Sequence, residues 1–166
     1  SYLQNLASFG NWTGIIMSEE KIEYIQWYPG HMAKANREIK EKLKLINVVI
    51  EVVDARLPLS SKNPEINQYT WNKQHILLLN KSDLADPEVS LEWIDWFKKN
   101  TDIEKIVLFD AFDRRMKTDL VRTIHELNIK EKAQVKCLVC GIPNVGKSTV
   151  INSLIGKRKT QIGNKP

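Results

Sequence analysis

A run of eight residues near the end of the chain has the composition and spacing of a phosphate-binding loop. It reads G-I-P-N-V-G-K-S and spans residues 141–148. Its two glycines permit backbone geometry and a close approach that a side chain would hinder, so backbone N–H groups can surround a polyphosphate. Lys147 is expected to reach the terminal phosphates, and the Ser148 hydroxyl is expected to ligate Mg²⁺. A predicted helix follows the run and adds the positive end of its dipole.

A second motif, N-K-S-D at residues 80–83, has groups suited to recognising a purine base. The Asp83 carboxylate offers two acceptors, which match the N1–H and exocyclic N2 donors of guanine, whereas adenine presents no such pair. Asn80 can hydrogen-bond to the guanine edge and brace the phosphate loop, while the stem of Lys81 can lie over the ring. Alone, such a pattern is often a surface turn. Together with the phosphate loop it predicts a guanine-nucleotide site that prefers GTP to ATP.

The composition indicates one globular domain. The chain has 166 residues, 42% of them apolar, and no apolar run near the roughly 18 residues that a membrane span needs. Two cysteines do not make a disulfide framework, which favours a reducing compartment; we expect the cytoplasm, with an organelle as the alternative. The net charge of +5 favours an anionic partner such as RNA.

Strands that alternate with helices predict an α/β fold with a doubly wound, mostly parallel sheet covered on both faces. Asp86 is expected to cap a helix that has Pro87 in its first turn, and Gly156 is expected to end the last helix. Strands are predicted at residues 47–53, 75–79, 105–109 and 135–140. Helices are predicted at residues 32–46, 87–99, 117–130 and 147–155.

The first 16 residues differ from the rest, because they contain no Lys or Arg. They therefore lack the charged start of a secretory signal and are not an Arg-rich mitochondrial address. The run M-S-E-E at residues 17–20 has the form of a natural start. We expect residues 1–22 to be a leader or flexible segment outside the fold, and residues 23–166 to form the nucleotide-binding domain.

The order of the motifs is the reverse of that in ordinary GTPases, where the phosphate loop comes first. Two further runs precede both motifs: W-Y-P-G-H-M-A-K-A at residues 27–35 and D-A-R-L-P at residues 54–58. From about Ile25 onward the chain resembles the circularly permuted GTPases, and within them the YlqF/RbgA ribosome-biogenesis subgroup. The resemblance implies a P-loop GTPase whose slow hydrolysis of GTP is stimulated by ribosomal particles. It also implies a role in maturing the large ribosomal subunit, in contact with its rRNA.

The resemblance extends to individual residues. A second base-contact motif, usually Ser-Ala, falls on Asp110-Ala111, where the Ala111 N–H can reach guanine O6 and Asp110 departs from the usual residue. Asn144 matches an asparagine associated with a bound K⁺, and His31 stands for the missing water-orienting glutamine, with a structural or RNA-contacting histidine as the alternative. His31 and Lys147 are the catalytic candidates. The predicted nucleotide contacts are Asn80, Lys81, Asp83, Asp110, Ala111, Pro143, Asn144, Val145, Gly146, Lys147, Ser148 and Thr149.

Three other patterns have competing interpretations. Cys137 and Cys140 have metal-ligand spacing, but positions three apart on a strand face opposite ways, which favours buried strand residues. Trp93 and Phe97 lie one helical turn apart and are expected to pack on the sheet, with base stacking by tryptophans as the alternative. A basic set can contact rRNA phosphates or form a solvated face; its members are Lys34, Arg37, Lys40, Lys42, Lys44 and residues 157–159.

The chain ends before the segment that would carry the switch regions in this family. The four predicted strands also leave one side of the strand before the phosphate loop without a partner, so we expect a fold that is incomplete at its carboxyl end. Two rival functions remain open. One is an RNA- or ribosome-binding module that uses guanine nucleotide as a structural ligand, and the other is an ATP-dependent P-loop enzyme, which Asp83 disfavours.

Overall fold

The structure is a computed structural model that describes residues 12–17, 22–27, 37–62, 66, 72–127, 135–142 and 145–163. Within these described residues, six strands form one sheet in the order β2-β1-β6-β3-β4-β5. The strands are β1 (Trp12–Met17), β2 (Ile22–Trp27), β3 (Val48–Asp54), β4 (Gln74–Asn80), β5 (Lys105–Leu108) and β6 (Cys137–Gly141). The helices are α1 (Arg37–Lys44), α2 (Pro87–Asn100), α3 (Arg114–Leu127) and α4 (Lys147–Gly163).

Four neighbouring strands, β6, β3, β4 and β5, run parallel to one another. Their residues are Val-, Ile- and Leu-rich because both faces of the sheet are covered, which is the usual pattern of a buried parallel sheet. The register places Asp54 opposite Asn80, so the carboxyl ends of β3 and β4 lie side by side. The predicted doubly wound α/β fold is confirmed.

Helices pack on both faces of this sheet. On one face, α3 and α4 contribute Leu120 and Ile151 to a core that includes Ile50. On the other face, α2 places Phe97 against Leu79, with Trp93 partly buried beside them. The packing predicted for Trp93 and Phe97 is therefore confirmed.

Aspartate caps set the starts of two helices, and the sequence analysis predicted the first of them. The Asp86 carboxylate accepts hydrogen bonds from the backbone N–H groups of Glu88, at 2.9 Å, and Val89, at 3.4 Å, as an N-cap should. The helix predicted from residue 117 begins earlier, at Arg114. The reason is Asp113, whose carboxylate accepts from the N–H of Arg115 at 2.8 Å and thereby starts the helix three residues sooner.

The predicted stop at Gly156 is wrong, because α4 continues through this residue to Gly163. Glycine ends a helix by adopting a left-handed conformation, and Gly146 is the glycine with positive φ among the described residues. In a helical conformation Gly156 costs about 1 kcal/mol relative to alanine, which does not force an end. A Cβ atom at this position would meet nothing within 4 Å.

The amino-terminal segment also differs from expectation, because Trp12–Met17 lies inside the fold. This strand pairs antiparallel with β6, with Thr13 opposite Gly141, and with β2 on its other side. The expectation that one side of β6 lacks a partner is therefore wrong. The physical reason is that a central strand with unpaired N–H and C=O groups is unfavourable, and the β-branched run of β1 satisfies them.

The interior of the sheet contains a buried charge cluster that the sequence analysis did not predict. Glu51 is fully buried on β3, and its carboxylate lies 3.0 Å from Lys62 Nζ and 3.2 Å from His75 Nε2. Because Lys62 follows the loop after β3, this ion pair ties that loop to the sheet. The signal in the sequence for this cluster was Glu51 itself, a charged residue in an otherwise apolar strand.

Both cysteines are free and buried on β6. Burial raises the pKa of Cys137 to about 12 and that of Cys140 well above its usual value, so both are protonated thiols. Within the described ranges, no three acidic, His or Cys side chains are grouped as metal ligands. The interpretation of Cys137 and Cys140 as strand residues is confirmed. In the same part of the chain, no helix is long and apolar enough to cross a membrane.

Candidate functional site

The candidate site lies at the carboxyl edge of the parallel strands, where both sequence motifs and the D-A-R run meet. Strand β6 ends at Gly141, β3 at Asp54 and β4 at Asn80. Phe109 continues from β5, and its N–H donates to the Leu79 carbonyl at 2.9 Å. Ligands of open α/β sheets bind at this edge, because loops from several strands converge there.

The phosphate loop needs glycine at both of its ends. A Cβ atom on Gly141 would lie 2.6 Å from the Val52 carbonyl oxygen, so the loop passes too close to β3 for any side chain. Gly146 has φ +90°, which side chains disfavour, and a Cβ there would collide with the Asn80 amide. The Val150 N–H then donates to the Gly146 carbonyl at 3.2 Å and closes the first turn of α4.

The start of α4 suits an anion. Its first turn contains no acidic residue, and Ser148 and Thr149 are exposed there. The first N–H groups of a helix have no carbonyl partner within the helix, so they point toward any group placed at its end. The hydroxyl of Ser148 is thus accessible from the edge where the loops converge.

Lys147 spans the phosphate loop. It lies in the first turn of α4, and its Nζ donates to the carbonyl of Gly141 at the opposite end of the loop. Burial lowers the pKa of Lys147 to about 8. A half-buried ammonium whose charge is poorly solvated gains a large amount of energy from a nearby anion. The arrangement prepares this side chain to bind phosphate.

A hydrogen bond joins the two motifs. The side-chain amide of Asn80 donates to the Val145 carbonyl at 2.8 Å, although these residues lie 65 positions apart. Asn80 is buried, so the bond is shielded from water. The bond places the N-K-S-D loop directly beside the phosphate loop, as expected for the bracing role of Asn80.

The N-K-S-D loop has a fixed backbone. Lys81 adopts a left-handed conformation, φ 60° and ψ 36°, and is the non-glycine residue with positive φ in the described chain. Backbone bonds hold the turn: Ala55 N–H donates to Asn80 O at 2.8 Å, and Ser82 N–H donates to Phe109 O at 3.0 Å. Asp83 is exposed in the following 3₁₀ turn, Ser82–Leu84, so its carboxylate is free of steric cover.

Two charged residues of the D-A-R run belong to the site, although the sequence analysis gave them no role. Asp54 Oδ2 lies 3.5 Å from Lys81 Nζ and 2.8 Å from Arg56 Nη2. The Arg56 guanidinium beside it lowers the pKa of Asp54 to about 2 against the opposing effect of burial. The signal in the sequence was the D-A-R run itself, placed at the end of a predicted strand.

The Asp110-Ala111 segment follows β5 at the same edge. The Asp110 carboxylate accepts from the Phe112 N–H at 2.9 Å, so it stabilises its own turn. The Asp110 N–H lies 3.2 Å from Met116 Sδ. Ala111 packs at the margin of the α3–α4 core. Asp110 is therefore a turn-forming residue.

Three predicted site residues, His31, Pro143 and Asn144, lie outside the described residues. The same holds for Lys34, while Arg37, Lys40, Lys42 and Lys44 fall on α1. Of these, Lys44 is exposed and its Nζ lies 3.2 Å from Glu41 Oε1. The described part of the basic set includes a solvated ion pair.

Comparisons with known proteins agree with this geometry. The model of the 50S ribosome-binding GTPase family matches residues 136–166. A protein named ribosome biogenesis GTPase A, from Priestia megaterium, is 43% identical over 153 residues, covering 86% of this chain and 52% of that protein. Mitochondrial ribosome-associated GTPase 1 of Xenopus tropicalis is 36% identical over 139 residues, covering 80% of this chain and 44% of that protein.

A solved structure is similar as well. GNP-bound YlqF from T. maritima has a TM-score of 0.56 and 34% identity, covering 75% of this chain and 49% of that one. The chain spans about half the length of the curated relatives it matches.

Proposed function

We infer, from the membership of this chain in the YlqF/RbgA family of circularly permuted GTPases, that it binds and hydrolyses GTP during assembly of the large ribosomal subunit. The observation that carries the nucleotide part is the 2.8 Å bond from Asn80 to the Val145 carbonyl. It sets a base-reading loop beside a phosphate loop, which is what a single nucleotide bound by both requires. The words 'ribosome biogenesis' and 'ribosome-associated' in the names of a bacterial and a mitochondrial relative support a ribosomal partner. We propose a cytoplasmic location.

The proposed nucleotide lies across the carboxyl edge of the sheet. Asp83 accepts from the guanine N1–H and N2 groups, and Ala111 N–H donates to O6. Lys147 and the N–H groups of residues 145–149 surround the phosphates, aided by the positive end of α4. Lys81 covers the base with its stem, while Asn80 fixes the distance between the two halves of the site.

A magnesium ion fits this arrangement. Mg²⁺ takes one or two protein ligands together with phosphate oxygens and water, and an exposed hydroxyl in the first turn of α4 matches that preference. We propose Ser148 as its ligand. When bound with nucleotide, the ion supplies charge neutralisation at the phosphates. Asn144 is proposed, from the resemblance, to ligate K⁺ beside them.

Hydrolysis is proposed to depend on electrostatic stabilisation by Lys147 and on water positioning by His31. We expect His31→Ala to slow GTP hydrolysis in the presence of ribosomal particles by about 100-fold, because an oriented water is lost. Affinity for GDP should stay unchanged. Single-turnover assays measure the rate, with His125→Ala on the exposed face of α3 as the matched control. Normal hydrolysis by His31→Ala would remove the proposed role.

We also expect the affinity for GDP to fall with rising pH above about 8. The pKa of Lys147 in the free protein is about 8, and a bound phosphate raises it, so binding above that pH must take up a proton. The affinity should be level below about pH 7.5 and should then fall by up to about tenfold per pH unit. Titration calorimetry at about pH 8.5, in two buffers of different ionisation enthalpy, measures the proton uptake.

The control for this titration is Lys147→Arg, whose guanidinium stays charged throughout the range. Proton uptake should disappear in this variant. If uptake persists, another group is responsible.

The ribosomal role is tested by sedimentation of the protein with ribosomal subunits. We expect more protein to sediment with large-subunit particles in a non-hydrolysable GTP analogue than in GDP. Multiple-turnover hydrolysis stimulated by those particles separates a GTPase from a module that uses nucleotide as a structural ligand. Equal sedimentation in both nucleotides, together with an absence of turnover, would support a module that uses guanine nucleotide as a structural ligand.

A further inference from the structure

The side-chain cluster at the end of β3 connects two loops of the site. Asp54 belongs to the D-A-R run, whereas Lys81 belongs to the base-reading loop, and their charged groups lie 3.5 Å apart. We propose that Asp54 is a positioning residue for guanine binding, acting through Lys81. The inference rests on the proposed function, because it assumes that the Lys81 stem covers the base.

Lys81 needs such an anchor. A lysine side chain has four rotatable bonds, and ordering it against a base is entropically unfavourable. Its left-handed backbone, held by bonds on both sides of the residue, fixes the direction in which the side chain leaves the chain. Attraction of the ammonium to Asp54 then fixes the far end. With both ends fixed, the apolar methylenes between them form a preformed surface for the ring.

Asp54 is itself held firmly enough to serve as the anchor. Arg56 donates to both of its oxygens, from Nε to Oδ1 at 3.0 Å and from Nη2 to Oδ2 at 2.8 Å. The Arg56 backbone N–H donates to Oδ1 at 2.9 Å, and the Asp54 N–H donates to the Ser61 hydroxyl oxygen at 2.9 Å. A two-pronged contact restricts rotation of the carboxylate. The lowered pKa of Asp54 keeps it ionised throughout the neutral range.

Arg56 also connects this cluster to the specificity residue. The positive charge of Arg56 interacts with Asp83, in addition to its stronger interaction with Asp54. Removal of the Asp54 charge should disturb the base end of the site and leave the phosphate end unchanged.

A double-mutant cycle tests the inference. The proteins are the unaltered chain, Asp54→Asn, Lys81→Met and the double variant, with GDP and inorganic pyrophosphate as ligands. Methionine keeps an apolar stem but lacks the ammonium. We expect each single variant to bind GDP about fivefold more weakly, and the double variant to bind no more weakly than the worse single one. Affinity for pyrophosphate, measured by competition, should be unchanged in all four.

Controls separate this role from a structural one. Asp95→Asn, an exposed acid on α2, should leave both affinities unchanged. If Asp54→Asn does not fold, Arg56→Lys replaces it in the cycle, because it loses the two-pronged contact and retains the charge. The inference would be overturned if Asp54→Asn, or Arg56→Lys in its place, bound GDP normally, or if the effects of the single variants multiplied in the double variant. A loss of pyrophosphate affinity equal to the loss of GDP affinity would also overturn it. A failure of the unaltered protein to prefer GDP over ADP would instead overturn the proposed function.

Discussion

Replacement of Lys147 by alanine is expected to weaken GDP binding by about 100-fold or more. The ammonium lies half-buried across the phosphate loop, where its attraction to phosphate is less screened than at the surface. Its pKa, lowered to about 8 by burial, indicates that the charge is poorly solvated without an anion nearby. Truncation therefore removes an interaction that water cannot replace. Titration calorimetry at neutral pH measures the loss.

The fold should tolerate this change. Alanine at position 147 leaves no buried charge without a partner, and alanine is a good residue for the first turn of a helix. The matched control is Lys99→Ala, since Lys99 is an exposed lysine paired with Asp95 on α2. Its GDP affinity should equal that of the unaltered protein. A Lys147→Ala protein that binds GDP within about threefold of normal would contradict the assigned role.

Asp83→Asn is expected to reverse the base preference of the site. Asparagine presents one acceptor and one donor where aspartate presents two acceptors. Its amide group then faces the N2 amino group of guanine, donor against donor, and GDP affinity should fall by about 100-fold. Xanthine has a carbonyl oxygen in place of that amino group, so xanthosine diphosphate should bind the variant better than GDP does.

Two measurements make the result specific to the base. Affinity for inorganic pyrophosphate should be the same in Asp83→Asn and in the unaltered protein, because the phosphate loop is unchanged. Asp95→Asn serves as the exposed control. If the variant keeps its preference for GDP over xanthosine diphosphate, Asp83 does not read the base.

Local sequence signals predicted the parallel strands well. Residues 48–53, apart from Glu51, and residues 76–79 are apolar, because both faces of these strands are buried. The cap at Asp86 was predictable because its carboxylate accepts hydrogen bonds from the backbone N–H groups of residues two and three positions later. Such features depend on neighbours in sequence.

Two errors concern the amino-terminal strands and the end of the last helix. Trp12–Met17 pairs with β6, which is distant in sequence, and on its other edge with the neighbouring strand β2, and neither β1 nor β2 was predicted as a strand. The helix continues through Gly156, because a glycine in helical conformation costs only about 1 kcal/mol relative to alanine, which does not end a helix by itself.

The candidate site likewise has features that the sequence predicted and features that it did not. The two nucleotide motifs were recognisable from residue types, and their convergence followed from the parallel sheet. The contact between Asp54 and Lys81 was not predictable, because it depends on the left-handed turn at Lys81. The position of Asp54 opposite Asn80 in the sheet register brings the two loops together.

The bond between Asn80 and Val145 has a consequence for biosynthesis. The acceptor leaves the ribosome 65 residues after the donor, a delay of about 3–13 s at ordinary rates of translation. Throughout that interval a nascent chain can present its base-reading loop, but it cannot hold both ends of a nucleotide. Ligand-linked stabilisation thus begins only once synthesis has passed α4. Nucleotide occupancy would then distinguish chains translated beyond this point from shorter ones.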